Sequence, residues 1–195
     1  MPKQVVIIGV GALGSHFLLF ARNLPVTFKV IDFDRVEAKN VLSQFHTKMG
    51  KGKNKAAAIQ ASMRGLYDIK IDAVPHRLTA DNVDQLLGGA DLLVDCVDNG
   101  ATRVLIQKYA KANDIPCVHG ALSAGGEFGL VQWTERFVID FEGGEGQATC
   151  EDGEHLPFIS KVAVGLAIVV QKWLASGVMD SLSFTPGGST LLTRA

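Results

Sequence analysis

Three stretches of this chain carry residues whose types and spacing suit a phosphorylated ligand. The first is Gly9-Val10-Gly11-Ala12-Leu13-Gly14, spaced G-x-G-x-x-G between an apolar β-branched run and a segment of helical apolar spacing. In that context the first glycine permits a tight turn, the second lets backbone approach a phosphate, and the third lets helix pack on strand. The N-terminus of the following helix adds free N–H groups and a partial positive charge. Asp32 follows Gly14 by 18 residues, near the spacing at which an acidic side chain takes ribose hydroxyls.

The second stretch, VIDFDRVEAKN at residues 30 to 40, holds more polar groups than a dinucleotide needs. A dehydrogenase wants mainly apolar contacts to nicotinamide beyond its ribose carboxylate, whereas here Asp34, Arg35, Glu37, Lys39 and Asn40 follow Asp32. The third is split between GKGKNKAAA, which contains Lys55, and DCVDNGATR, which contains Asp98 just past an apolar strand. Ligands sit at that carboxyl edge of a parallel sheet, so Asp32, Asn40, Lys55 and Asp98 are expected to converge on one crevice. A lysine beside an acid able to hold Mg²⁺ suits ATP, whose triphosphate charge must be neutralised; NAD makes no such demand.

Positioning these groups requires strands that end at a common edge. Residues 4 to 10, 27 to 32, 69 to 75, 90 to 97 and 116 to 122 read as strands. Residues 15 to 24, 55 to 67, 81 to 87 and 101 to 113 read as helices, with Gly11 to Gly14 as a turn, Asp81 as an N-cap, and stops near Gly65 and at Gly88-Gly89. The alternation predicts an α/β fold, a Rossmann-like and mostly parallel sheet with helices on both faces. After Gly125 the pattern changes. Residues 128 to 134 and 136 to 141 look like adjacent antiparallel strands, and 143 to 155 form a polar glycine-rich loop. A long apolar helix runs from about residue 157 to 176, and the tail can hairpin at Gly187-Gly188. With no repeat or flexible linker, residues 1 to 195 are expected to form one domain.

The bulk composition excludes several classes. Lys and Arg total 19 against 20 for Asp and Glu, which gives no concentrated basic face for nucleic acid. The richest apolar run, residues 162 to 170, is shorter than the ~20 residues that span a bilayer and lies between Lys161 and Lys172. Cys96, Cys117 and Cys150 form neither a disulfide framework nor a zinc pair, and the N-terminus lacks a signal-peptide pattern, so a reducing cytoplasm is the expected location. The five histidines are scattered, which predicts no metal cluster.

Together the motifs resemble the ThiF/MoeB/HesA family of Rossmann-type enzymes that activate ubiquitin-like proteins. Four pieces carry the resemblance: GVGALGS at 9 to 15, DFDRVEAKN with Gln44, G-x-x-K-A from Gly52 to Ala56, and DNGATR at 98 to 103. The resemblance implies an ATP-dependent adenylyltransferase acting on the C-terminal glycine carboxylate of a small ubiquitin-like or sulfur-carrier protein ending in Gly-Gly. It implies that Asp32 takes the ribose hydroxyls and Lys55 the phosphates, that Asn40 and Gln44 line the phosphate side, and that Asp98 holds the magnesium. Asp34 is expected to orient the loop or reach the metal indirectly. Arg103 matches the family arginine, with a buried structural ion pair an equal expectation. Relatives of this family dimerise, and the apolar 157 to 176 helix is expected to be core or a homodimer interface.

The pattern departs from the family at two points. The family sequence N-x-x-R-Q is Asn40-Val41-Leu42-Ser43-Gln44 here, so Ser43 stands where an arginine would touch phosphate. The sequence opens directly on its first expected strand, so the leading helical segment whose arginine, in relatives, reaches the neighbouring subunit is expected to be missing. Arg35, Lys39, Lys51 and Lys53 are candidates to compensate. Cys150 occupies a loop where relatives carry a reactive or metal-binding cysteine, although flanking Glu151, Asp152 and Glu154 raise a thiol pKa. Two rivals make different demands. An NAD(P)-binding oxidoreductase needs neither Asp98 nor Lys55, and a catalytically degenerate scaffold binds ATP without pyrophosphate exchange.

Overall fold

The structure, a computed structural model, describes residues 1–134, 136–138, 153 and 155–192. Its spine is one eight-stranded sheet. β1 (Lys3–Ile8), β2 (Val26–Ile31), β3 (Ile71–Val74), β4 (Leu92–Asp95) and β5 (Cys117–Leu122) run parallel, and β6 (Gly129–Trp133), β7 (Ser181–Thr185) and β8 (Gly188–Leu192) continue the sheet antiparallel. The spatial order is β3-β2-β1-β4-β5-β6-β7-β8. The chain builds outward from β1 through β2 to β3, then crosses back to β4 on the other side of β1. That reversal opens a crevice outside the carboxyl ends of β1 and β4, where α/β sheets bind ligands.

The continuous apolar run of β1 reflects burial on both faces. Val5 and Ile7 face the helices α1 (Ala12–Ala21), α2 (Lys55–Tyr67) and α5 (Leu156–Ser176), while Val6 and Ile8 face α3 (Val83–Leu87) and α4 (Gly100–Ala112). α5 lies along α1, and on another side the Phe45 N–H reaches Ser15, so that even Ser15 and His16 of α1 are buried. The expectation that this apolar helix belongs to the core is met: Ile159, Val162, Leu166 and Val170 are fully buried, while Val164 and Ile168 remain exposed. The 21-residue helix does reach the length and composition of a membrane span, unlike the shorter run within it. Here α1 and the sheet cover its apolar face.

Several sequence expectations need correction. α1 begins at Ala12, so Gly14 lies inside the helix and the turn is confined to Gly9–Gly11. α2 covers the expected residues 55 to 67, but its stop is not Gly65: Asp68 caps it in the left-handed conformation. Asn82, not Asp81, is the N-cap of α3. The antiparallel partners of β6 are β5 and β7; residues 136 to 138 lie outside any strand, and 139 to 141 fall outside the described residues. The hairpin forms as expected but turns at Pro186-Gly187, since Thr185 pairs with Gly188.

Candidate functional site

The glycine turn sits at the mouth of the crevice, and each glycine has a distinct steric reason. Gly9 adopts φ +84°, and a Cβ there would approach the Cys96 carbonyl oxygen to 2.9 Å. Gly11 has nothing within 4 Å of its Cβ position, so the space a ligand needs is open. Gly14 presses on Gly9, whose carbonyl oxygen would be 2.0 Å from an added Cβ. The first intrahelical bond of α1 runs from Ser15 N–H to the Gly11 carbonyl at 3.1 Å, which leaves the earlier N–H groups for an anion.

Asp32 extends from the end of β2 and is 7% exposed. Its Oδ2 accepts the Val10 N–H and its Oδ1 the Asp34 N–H, both at 2.8 Å, so it braces the glycine turn and still has lone pairs for ribose hydroxyls. Burial pushes its pKa up, opposed by Lys55 and by those two N–H donors. Lys55 opens α2, nearly buried, with its Nζ 3.3 Å from Asp34 Oδ2. Asn54 explains this placement. Its Oδ1 caps α2 at Ala57 N–H (3.1 Å) while its Nδ2 donates to the Asp32 and Asp34 carbonyls at 2.7 and 3.1 Å, locking the start of α2 onto the end of β2. Asn54 escaped the sequence reading, although an asparagine before KAAAIQA is an N-cap signal. Asp34 therefore works chiefly through Lys55.

Residues 38 to 46 form the flank beside the turn. Asn40 is buried in a 3-10 helix, Ala38–Leu42, where its Oδ1 accepts the Glu37 N–H at 2.8 Å and its carbonyl accepts the N–H groups of Ser43 and Gln44. Its side chain thus shapes the local turn. Ser43 is fully buried. The Phe45 N–H donates to Ser15 Oγ at 2.9 Å, and His46 Nε2 bonds the Val10 carbonyl at 2.9 Å. His46 Nδ1 and Gln44 Oε1 are buried without a partner among the described residues. Such an orphan costs about 1–3 kcal/mol.

His46 makes the fold acid-sensitive. Burial lowers its pKa from 6.5 to about 4, the Val10 bond opposes that shift, and Lys55 and His16 reinforce it. Above about pH 6.5 the ring is neutral in both folded and unfolded chains. Between pH 6.5 and 4 only the unfolded chain takes the proton, so stability falls as pH falls, by up to roughly 3 kcal/mol in sum. Urea unfolding at pH 7 and pH 5 measures the effect, and the loss should be smaller in a His46→Gln variant.

Across the crevice, Asp98 is exposed on the loop after β4 and makes no ion pair among the described residues. That loop is held against the glycine turn by the Cys96 N–H, which donates to the Ile8 carbonyl at 2.9 Å. Beneath it lies a buried polar network. Asp95 Oδ2 accepts from Arg103 Nη1 (3.2 Å) and from His119 Nδ1 (2.7 Å), while Arg103 Nη2 donates to the carbonyls of Val97 and Gly120. With a carboxylate as its Nδ1 acceptor, His119 offers Nε2 to the Thr134 hydroxyl at 2.7 Å. Arg103 and His119 are therefore satisfied structural groups beside the crevice, one of the two roles expected for Arg103.

Cys150 lies outside the described residues. Among the candidate compensating cations, Arg35 donates to the Gly52 carbonyl (2.7 Å), Lys39 pairs with Glu37 (3.5 Å), and Lys51 and Lys53 are exposed. No group of three or more His, Cys, Asp or Glu side chains suited to a metal occurs among the described residues. A lone unpaired carboxylate such as Asp98 does fit Mg²⁺, which takes one or two carboxylates with the remaining ligands from phosphate and water.

Comparison with known proteins bears on this arrangement. The ThiF family profile matches residues 2–152. The chain is 34% identical over 125 residues to the SAMP-activating enzyme E1 of Haloferax volcanii, covering 63% of this chain and 46% of that one. It is 33% identical over 132 residues to the sulfur carrier protein ThiS adenylyltransferase of Bacillus subtilis, covering 65% and 39%. The chain thus spans less than half the length of these relatives. A crystal structure of E. coli MccB with ATP superposes with a TM-score of 0.78 over 98% of this chain and 63% of that one, at 15% identity, a likeness of fold.

Proposed function

Since the chain belongs to the ThiF family, whose matched relatives include carrier-protein adenylyltransferases, we propose that it is an ATP-dependent adenylyltransferase. Its substrate in this reading is the C-terminal glycine carboxylate of a small ubiquitin-like or sulfur-carrier protein. The observation that carries it is the grouping around one crevice of an open glycine turn, the buried Asp32, the Asp34-held Lys55 and the unpaired carboxylate of Asp98. The carrier carboxylate attacks the α-phosphorus, the bond to the bridging oxygen breaks, and pyrophosphate leaves as the acyl adenylate forms. Repulsion between carboxylate and triphosphate must be offset for this to proceed. Lys55 supplies one cation, turning from Asp34 toward the phosphates. The N–H groups around Gly11 supply further donors, Asp32 accepts from the ribose, and Asn40 and Gln44 border the phosphate side. Asp98 would hold Mg²⁺, which neutralises charge on the departing pyrophosphate. The unit in this reading is one adenylation domain, working as a homodimer in the cytoplasm.

Calorimetric titration with ATP, with and without Mg²⁺ and with NAD⁺ in parallel, tests the proposal. Mg²⁺-dependent ATP binding should weaken about 10- to 100-fold in Asp98→Ala, the size expected for one lost charged contact. Preference for NAD⁺, indifferent to Asp98, would overturn it. Buried Ser43 favours one other reading, an inactive scaffold. ATP binding without pyrophosphate exchange in the presence of any Gly-Gly carrier would select that reading.

A further inference from the structure

The buried histidine beside the glycine turn has a polarity that the fold does not use. His46 is 5% exposed, its Nδ1 has no partner among the described residues, and its ring makes one hydrogen bond, to the Val10 carbonyl at 2.9 Å. A hydrocarbon side chain would remove the orphaned Nδ1 but would leave the buried Val10 carbonyl without its donor. The value of an imidazole at this position must therefore lie in that one bond.

The bond bears on the ligand through backbone geometry. The Val10 carbonyl and the Gly11 N–H belong to one trans peptide unit, so the two point in opposite directions. An Nε2–H that fixes the carbonyl on one side fixes the Gly11 N–H on the other. Among the described residues no other hydrogen bond reaches this unit. A flip changes only ψ of Val10 and φ of Gly11, and Gly11 has neither a Cβ nor a neighbour within 4 Å of where one would be. The preceding unit is clamped separately, since the Val10 N–H donates to Asp32 Oδ2 at 2.8 Å. Carboxylate and imidazole thus grip the two sides of one residue.

The His46 segment is itself anchored. The Phe45 N–H bonds Ser15 Oγ at 2.9 Å, and Ser15 Oγ lies 3.3 Å from the Ala12 carbonyl, so the segment registers against the first turn of α1. We propose that His46 is a positioning residue for the phosphate cradle: its Nε2–H holds the Val10 carbonyl so that the Gly11 N–H faces the nucleotide phosphate. The inference rests on reading the glycine turn as the ATP-phosphate cradle. Burial, which keeps the ring neutral above about pH 4, is consistent with the assignment, because a neutral ring carrying its proton on Nε2 makes the bond and leaves Nδ1 bare.

The test compares His46→Leu with His46→Gln, whose amide can still donate to a carbonyl. Thermal melts are read together with titrations of ATP and of inorganic pyrophosphate, and the Gly11 amide resonance is followed during the latter. The Leu variant should still fold, lose about tenfold in affinity for both ligands, and lose the pyrophosphate-induced shift of the Gly11 amide. The Gln variant should recover most of the affinity and the shift. Wild-type affinity in the Leu variant overturns the proposal, as does loss of folding shared by both variants, which would make the ring a packing element. If wild type binds neither ligand, the phosphate-cradle reading itself fails and takes this one with it. That result is distinct from binding that survives in the Leu variant.

Discussion

Gly14→Ala is expected to destabilise the protein by about 3 kcal/mol or more, the upper range for overpacking, and to abolish ATP binding. The new methyl would sit 2.0 Å from the Gly9 carbonyl oxygen, 3.1 Å from its carbon and 3.2 Å from Cys96 Cβ. Two of those atoms are backbone and cannot rotate away. Nor can the helix retreat, because Leu13, Phe17 and Leu18 of α1 are core residues with α5 packed along the outer side. Any displacement reaches Ser15 and Val10, which fix the neighbouring flank and the cradle. For a chain of this size the melting temperature should fall by roughly 6–12 °C or more. Gly11→Ala is the control: its Cβ meets nothing within 4 Å, so it should cost far less stability while filling the space a phosphate requires. Calorimetric melts and ATP titrations on both variants separate the effects, and a Gly14→Ala protein that melts and binds like wild type would falsify the close-approach account.

The Gly14 contact also marks where local pattern stops informing. G-x-G-x-x-G, Asp32 and the Ala-rich α2 were legible because spacing, capping and periodicity act over a few residues. The start of α1 was not: a glycine looks like a turn residue, and only its approach to Gly9 reveals that a helix needs it. Gly65 looked like a stop for α2, yet the helix is ended three residues later at Asp68, by a left-handed cap rather than by composition. The groups that clamp the crevice escaped for a different reason. His46 meets Val10 across 36 residues, and His119 meets Asp95 across 24, so no local signal connects them. The β6–β7 pairing is similar: residues 136 to 141 were the nearer candidate, but the hairpin beyond α5 takes the edge. The parallel order of β1 to β5 was readable in outline because helical crossovers leave few alternatives.

Arg103→Met should cost about 3–5 kcal/mol, the range for breaking a buried ion pair on one side. Asp95 is fully buried, and its Oδ2 depends on Arg103 Nη1 at 3.2 Å and His119 Nδ1 at 2.7 Å. Methionine fills comparable volume but leaves the carboxylate with one ring N–H and the Val97 N–H at 3.0 Å. Two carbonyls, of Val97 and Gly120, lose their donor as well. The Phe137 ring, 4.4 Å from His119 and 5.2 Å from the guanidinium by centroid, loses one of its two partners. Because Val97 directly precedes Asp98, the damage should extend to the loop that carries Asp98, and Mg²⁺ dependence of ATP binding should weaken in parallel with stability if that loop holds the proposed Mg²⁺. A double-mutant cycle with Asp95→Asn makes the test specific. Neutralising the carboxylate removes the uncompensated charge, so the second substitution should cost much less in the Arg103→Met background than alone, with a coupling of about 1–3 kcal/mol in urea unfolding. Simple additivity would mean that Arg103 acts through its carbonyl contacts alone and that Asp95 never needed its charge offset.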